Sequence, residues 1–391
     1  MNSPTEETRV LFVTHTVAMQ GANHSLLQLM LELKDRHRVV PIVLMPHIPT
    51  SYAQWNMLLA CRQHHIECYS YRSHWFKNTL RLVSYLRCLG NVFSYPYIYH
   101  KLKSLHVSLI HSNGSVTSLG AYLSRRMKVP HVWHIREFGD LDFSLHSLWG
   151  SRYERWVYRH ADVFIAISQA VKDHYQSVVP PAKTLLIYNG IVPPANPRLP
   201  APRQAVPLQI CLVGILSEWK NQIEALRAVD LLVNQWGVTD FHLSLIGYEE
   251  KVCTALLRSF VAEHQLGSYV SFLGERNDVM DLLAQMHVGL MLSKNEAFGR
   301  VTVEYMMQGL AVVASSSGAN PEIVDHGATG LLYNLGNAEE LAHALKLLIN
   351  DDAMRCAIAG RGQQKALRTF TSEKNTAAVN DVYTRLIQPC P

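Results

Sequence analysis

Twelve short apolar runs punctuate this chain between longer helical stretches, and they fall into two series of six. The first comprises VLFVT (10–14), VVPIVL (39–44), VSLIHS (107–112), HVWHI (131–135), VFIAIS (163–168) and TLLIYNG (184–190). The second comprises LQICLVG (208–214), FHLSLIG (241–247), VSFLG (270–274), VGLMLS (288–293), AVVAS (311–315) and GLLY (330–333). Strands so continuously apolar are buried on both faces, as in parallel sheets covered by crossover helices. Strand alternating with helix twice over predicts two doubly wound α/β units.

The segment IVPPANPRLPAPRQAVP (191–207) separates the two series, holds six of the 17 prolines and shows no hydrophobic period. Proline lacks an amide donor and fixes its own backbone, which excludes helix interior and central strand here. The expected organisation is a first domain over 1–190, a linker over 191–207 and a second domain over 208–370. A ligand of two such domains is expected in the cleft between them, at the carboxyl ends of the strands.

With 48% apolar and 17% charged residues over 391 positions, the composition is globular rather than disordered. The seven cysteines are scattered, with no CxxC or Cys/His spacing, and read as reduced thiols of a reducing, cytoplasmic compartment. The start, MNSPTEETRVLFVTH, carries two glutamates where a signal peptide needs a basic region and a longer apolar stretch. No run reaches the roughly 18 apolar residues of a membrane span. The expected protein is soluble, at most peripheral at the inner face of a membrane.

Charge is unevenly spread. Residues 52–106 carry seven Lys/Arg against one acid, a local +6 that exceeds the +5 of the whole chain, and they are rich in Trp, Tyr and Phe. Basic, aromatic helices suit an anionic membrane surface or an acidic acceptor. They equally suit ordinary helices with a solvated basic face. No nucleic-acid motif accompanies the charge, so no nucleic-acid partner is expected.

The stretch KNEAFGRVTVEYMMQG (294–309) follows the strand VGLMLS and places Glu296 and Glu304 eight positions apart around Phe298 and Gly299. The loop KNEAFG leads into a helix that Gly309 would close. On a helix the two carboxylates would lie about 12 Å apart along the axis. A retaining glycosidase pair needs roughly 5 Å, so hydrolysis by two carboxylates is disfavoured. Such a separation suits gripping hydroxyls at the two ends of a long ligand.

EAFGRVTVE resembles the E-x7-E signature of the family 4 retaining glycosyltransferases, whose GT-B fold consists of two facing Rossmann-like domains. The resemblance implies that Glu296 contacts hydroxyls of the transferred sugar and Glu304 the nucleotide ribose. LVGILSEWKN (212–221) resembles the family loop in which a Gly, here Gly214, precedes a Lys that meets the sugar diphosphate, here Lys220. The Arg usual after that Gly is Ile215, so Arg300 or helix N-terminal amides would share the phosphate load. SGANPEIVDHGATGLLY (317–333) resembles the family stretch that follows, with Pro321 and Glu322 suited to a helix start.

In the amino-terminal half, QGANHSLLQLM (20–30) resembles the family turn into the first helix, where Gly21 would allow close approach of donor or acceptor. HVWHIREFGD (131–140) places His134 where family members aim a His at the transferred sugar. IAISQAVKDHY and IYNGI resemble the family's Ser-led helix start and its Asn-Gly turn. The last helix, 371–388, is expected to rejoin the first domain, as is usual for the GT-B fold.

DLD (140–142) could be read as the metal-holding triplet of the other large glycosyltransferase fold, but the two-domain pattern speaks against that fold. No metal and no cofactor are expected beyond the nucleotide-diphosphate sugar itself. The reaction implied is transfer of a sugar with retention to an acceptor hydroxyl on a glycan or lipid-linked glycan, in cell-envelope or extracellular polysaccharide assembly. One rival is an epimerase of the same fold, for which the sequence offers no extra acids and bases. Another is a degenerate protein that only binds a nucleotide sugar or a partner, for which Ile215 is the main argument.

Overall fold

The computed structural model describes residues 7–47, 56–72, 74–78, 82–203 and 207–387. Trp55 and Arg81 of the basic stretch, residues 204–206 of the proline-rich segment and Cys390 lie outside these. The strands are β1 (Thr8–Thr14), β2 (Val39–Pro46), β3 (Glu67–Tyr71), β4 (Lys77–Asn78), β5 (Leu109–Asn113), β6 (His131–Ile135), β7 (His146–Ser147), β8 (Val163–Ala166), β9 (Thr184–Leu186), β10 (Leu208–Val213), β11 (Phe241–Ile246), β12 (Val270–Gly274), β13 (Val288–Met291), β14 (Ala311–Ser315) and β15 (Leu331–Tyr333). The chain forms two compact units: Met1–Gly190 with Ser372–Pro391, and Ile191–Thr371.

The first unit is built on a seven-stranded parallel sheet in the order β3-β2-β1-β5-β6-β8-β9. β1 shows why its run is unbroken: Val10 and Phe12 enter one apolar cluster, Leu11 and Val13 another, so both faces are covered. On the first of these faces, the helix Gly21–His37 buries Leu26, Leu29, Met30 and Leu33 at helical spacing. The helix Ser372–Ile387 packs beside it and adds Val379, Val382 and Tyr383 to the same cluster.

β3 corrects the expectation of an all-helical basic stretch. ECYSY pairs in register with β2, from Ile42 opposite Glu67 to Pro46 opposite Tyr71, at the edge of the sheet. An edge strand keeps one rim in solvent, so it tolerates the polar residues that hide it in the sequence. Downstream, the helices Leu82–Leu89 and Asn91–Leu102 do carry the aromatic and basic residues.

The second unit holds a six-stranded parallel sheet in the order β12-β11-β10-β13-β14-β15. Leu208, Ile210 and Leu212 point alternately into one core with Leu243, Leu245, Val288 and Leu290. The segment expected as a linker belongs to this unit. Arg198 Nη1 donates to the Ala284 carbonyl at 2.7 Å, and Arg203 pairs with Asp240 at 2.8 Å. Its prolines prevent it from joining the sheet but not from packing against the unit through arginine side chains.

Candidate active site

In the second unit the order of strand addition reverses between the parallel neighbours β10 and β13: β10 continues to β11 on one side, whereas β13 continues to β14 on the other. Loops leaving adjacent strands at such a switch point splay apart and open a crevice at their carboxyl ends. The loop after β10 carries Gly214 and the short turn Glu218–Lys220, and the loop after β13 carries Lys294, Glu296, Phe298 and Gly299. The topology thus brings together residues 76 positions apart.

Lys220 Nζ donates to Glu296 Oε2 at 2.9 Å, and the Gly299 N–H donates to Glu296 Oε1 at 3.1 Å. Burial alone would push the Glu296 carboxyl up. The Lys220 charge, with hydrogen bonds from Lys220, Ser293 and the Gly299 amide, overcomes burial and holds it below the ordinary value. The site glutamate is therefore an anion. The two loops are joined again by Lys294, whose N–H donates to the Trp219 carbonyl at 3.1 Å and whose ammonium pairs with Glu218 at 2.9 Å.

Two glycines shape the Glu296 loop. Gly318, at φ +56°, lies so close that an added Cβ would collide with the backbone of Glu296, while the Ala319 N–H donates to the Glu296 carbonyl at 2.8 Å. Gly299, at φ +86°, caps the helix Arg300–Met307 in the left-handed region and so turns its amide back to the Glu296 carboxylate. The SGANPE motif supplies the support: the buried Asn320 amide donates to the Ser315 carbonyl at 3.0 Å, and Pro321 opens a short helix.

Glu304 sits on the helix Arg300–Met307, one turn after Arg300, whose Nε donates to Glu304 Oε1 at 2.9 Å. Burial dominates here and raises the Glu304 carboxyl, with Arg300 only partly offsetting it. Arg300 is thus engaged with Glu304. Gly214 immediately follows β10, and its amide donates to the Ile246 carbonyl at 2.9 Å. Phe298, between the two glutamates, is 2% exposed and stands edge-on to Phe370, 5.9 Å between ring centroids, so its ring packs within the unit.

In the first unit, His134 also differs from expectation. It lies on the central strand β6 and is fully buried, so its ring faces no open space. A chain of contacts runs from Tyr383 OH to His111 Nδ1 at 2.6 Å, from His111 Nε2 to His134 Nδ1 at 3.3 Å and from Arg136 Nη2 to His134 Nδ1 at 3.3 Å. Desolvation, the Arg136 charge and the neighbouring imidazole hold His111 and His134 well below the ordinary pKa, so both rings are neutral. His134 Nε2 is buried without a hydrogen-bond partner.

Sequence reading passed over Arg136, which donates to the side chains of Asn113 at the end of β5 and Asn189 of the Asn-Gly turn. A cation one residue beyond a buried strand was the available signal. At Gly21, an added Cβ would meet no atom within 4 Å, so the fold itself makes no demand for glycine there. Asp142 of the DLD triplet accepts from the Phe138 and Gly139 amides at 3.0 and 2.6 Å, and Asp140 pairs with His174 at 2.8 Å. Both carboxylates are committed to local structure.

Two family models match this chain: "Glycosyltransferase Family 4" over residues 19–193 and "Glycosyl transferases group 1" over residues 202–365. The N-acetyl-alpha-D-glucosaminyl L-malate synthase of Bacillus anthracis is 31% identical over 144 residues, which is 37% of each protein. The lipopolysaccharide core biosynthesis glycosyltransferase LpsE of Rhizobium meliloti is 31% identical over 122 residues, 31% of this chain and 35% of that one. The chain thus matches little more than a third of the length of these two relatives. The crystal structure of Anabaena HepE in complex with UDP superposes with a TM-score of 0.78 at 22% identity, covering 97% of this chain and all of that one. From the paired family matches and the shared architecture, the chain belongs to the family 4 glycosyltransferases and has the GT-B fold.

Proposed function

We propose that this protein is a retaining, metal-independent glycosyltransferase that moves a sugar from a nucleotide-diphosphate sugar to an acceptor hydroxyl. The observation that carries the reading is the Lys220–Glu296 pair, 2.9 Å apart on the two loops that flank the strand-order switch. A compact cation and an ionised carboxylate at the mouth of a parallel sheet match the two halves of a sugar diphosphate, one anionic and one rich in hydroxyls. HepE was solved with UDP, which makes UDP-sugars the first donors to test.

In this reading Lys220 shifts from Glu296 toward the diphosphate as the donor binds, and Glu296 then accepts from hydroxyls of the sugar. The N–H groups opening the helix Arg300–Met307 have no acceptor within the helix and point positive charge toward the same phosphate. Glu304, with Arg300, holds the ribose. As the bond from the anomeric carbon to the diphosphate oxygen breaks, the acceptor oxygen attacks from the same face. Its proton passes to the departing phosphate. Lys220 stabilises the growing negative charge, an interaction stronger in the transition state than in the ground state. In the first unit, the enclosed His134 is assigned a positioning role, steadying the Arg136 guanidinium, and the open backbone at Gly21 is assigned to ligand approach.

The acceptor is proposed to be a glycan or lipid-linked glycan of the cell envelope, which the likeness to LpsE supports. Contact with an anionic membrane through part of 52–106 is proposed with it. No helix among the described residues is long and apolar enough to cross a membrane. Yet Leu82, Leu86, Val92 and Phe93 are all exposed on consecutive helices, with Phe93 82% accessible. Exposed apolar patches of this kind mark interaction surfaces.

The test is a thermal-shift and donor-hydrolysis screen of the purified protein against UDP-, GDP- and ADP-sugars, with and without EDTA. A donor that stabilises the wild type and is turned over in EDTA supports the proposal. If no donor binds, the Ile215 substitution has cost the phosphate site, and the binding-protein reading replaces it.

A further inference from the structure

A cavity of about 880 Å³ lies in the first unit, outside the strand ends just described, among the helices Asn91–Leu102, Leu119–Met127 and Gly150–Tyr158. Its wall is apolar and aromatic: Val92, Tyr95, Ala121, Tyr122, Trp149 and Trp156 all face it. That size and lining suit a hydrophobic ligand. Arg125 and His160 also line a second pocket of about 590 Å³, together with Lys128, Arg159 and Asp162. The second pocket is basic. Its one carboxylate, Asp162, already accepts from the His131 N–H at 2.8 Å. Burial first, then the charges of Arg125, Arg159 and Lys183, hold the His160 imidazole below its ordinary pKa.

An apolar chamber and a cationic one that share Arg125 and His160, 3.4 Å apart between Nη1 and Nε2, fit a molecule with an apolar chain and an anionic head. The topology identifies which molecule. The helix Leu119–Met127 follows β5 and precedes β6, so it runs antiparallel to the strands and delivers Arg125 and Lys128 to the amino end of β6. Arg159 and His160 likewise precede the amino end of β8. The cationic pocket therefore lies on the sheet edge opposite the carboxyl ends that carry Gly21 and His134. A lipid-linked acceptor must present its head group at the carboxyl ends, so its phosphate would be on the wrong edge here. A phospholipid of the membrane has no such constraint. Leu89 and Val92, at the rim of the apolar chamber, are 50% and 67% exposed and continuous with the apolar patch on the preceding helix.

We propose that the two adjoining pockets form a binding site for one anionic phospholipid, its acyl chains in the aromatic chamber and its phosphate among Arg125, Lys128 and Arg159. The inference rests on the membrane contact proposed above and narrows it to a specific lipid site. It gives the enzyme a head-group preference that a greasy patch alone cannot supply, because a patch buries chains without reading charge.

The experiment uses full-length protein and two readouts. The first titrates dihexanoyl-phosphatidylglycerol, kept below its micelle-forming concentration, and follows tryptophan emission and the unfolding midpoint. Dihexanoyl-phosphatidylcholine and inorganic phosphate are the controls. The second is flotation with vesicles of phosphatidylcholine, with and without phosphatidylglycerol. Phosphatidylglycerol is expected to shift both signals of the wild type, with both controls at least tenfold weaker. R125E/R159E, at exposed positions, is expected to bind it at least tenfold more weakly without loss of fold, and A121F, which fills the chamber, to do the same. Equal binding by R125E/R159E, or equal binding of phosphatidylcholine or of phosphate alone, overturns the site. If the wild type floats with anionic vesicles and R125E/R159E floats as well, while the soluble lipid does not bind, the membrane contact stands and the lipid site falls. If the wild type floats with neither vesicle, the membrane contact itself fails.

Discussion

Lys220 and Glu296, 76 residues apart in the chain, meet at 2.9 Å on loops leaving the adjacent strands β10 and β13. Neither residue is made by its local structure. One ends a short turn and the other stands in a loop held by Gly318 and Gly299. The pair is partly shielded from solvent, with the Glu296 side chain 16% exposed and that of Lys220 32%.

E296Q keeps the shape but loses the charge, and its turnover is expected to fall by about 100-fold or more, the scale seen when one charge-stabilising contact at a reacting centre is removed. K220M should lose a similar factor, and the double variant little more, because the two act as one unit. Steady-state transfer assays on the three variants check this. Full additivity of the two losses would contradict it.

The two glutamates should respond to pH with opposite signs. The Glu296 carboxyl is depressed in the folded state, so its stabilisation is present above the unfolded carboxyl pKa and is lost as pH falls through its folded value. The Glu304 carboxyl is raised, so its ionised form costs stability at neutral pH and protonation relieves that cost as pH falls. Chemical denaturation at pH 7 should therefore find E296Q less stable than the wild type and E304Q slightly more stable. At pH 4 both differences should shrink.

The neutral pair His111 and His134 predicts acid sensitivity of the first unit. Their folded pKa values are depressed, so the stabilisation is full above the unfolded value of about 6.5 and is lost progressively below it. H111Q should flatten the stability profile between pH 6.5 and 4.5. Y383F, which removes the hydroxyl 2.6 Å from His111 Nδ1, should cost about 1 to 2 kcal/mol at pH 7. Urea titrations across this range measure both.

G318A tests the cradle of Glu296. Its left-handed backbone and the collision of a Cβ with the Glu296 backbone should cost about 1 to 3 kcal/mol and displace the carboxylate. Activity should fall more than stability accounts for, judged by kcat at a temperature where the variant is fully folded.

L86S/F93S removes two exposed apolar side chains that make no contribution to the core. Stability should change by less than about 0.5 kcal/mol, as for ordinary surface substitutions, while flotation with anionic vesicles drops. Unchanged flotation would rule these helices out as the contact.

What the sequence alone determined was the repeated strand–helix alternation, because a strand covered on both faces must be apolar along its whole length, as Val10 to Val13 are. It also placed Glu296 in the loop after a strand and Glu304 on the helix that follows, and marked Lys220 by its neighbours. It hid β3, because an edge strand with a solvent rim keeps no such run, and Glu67, Tyr69 and Tyr71 merged into the basic, aromatic stretch read as helices. Tertiary structure alone decided the rest. Burial on both faces of β6 enclosed His134, and packing on Phe370 withdrew Phe298 from solvent. The proline-rich segment was secured to the second unit by Arg198 and Arg203, whose partners lie far along the chain. The Lys220–Glu296 pair exists because parallel strands reverse their order between β10 and β13, and strand order depends on long-range pairing that no local pattern encodes.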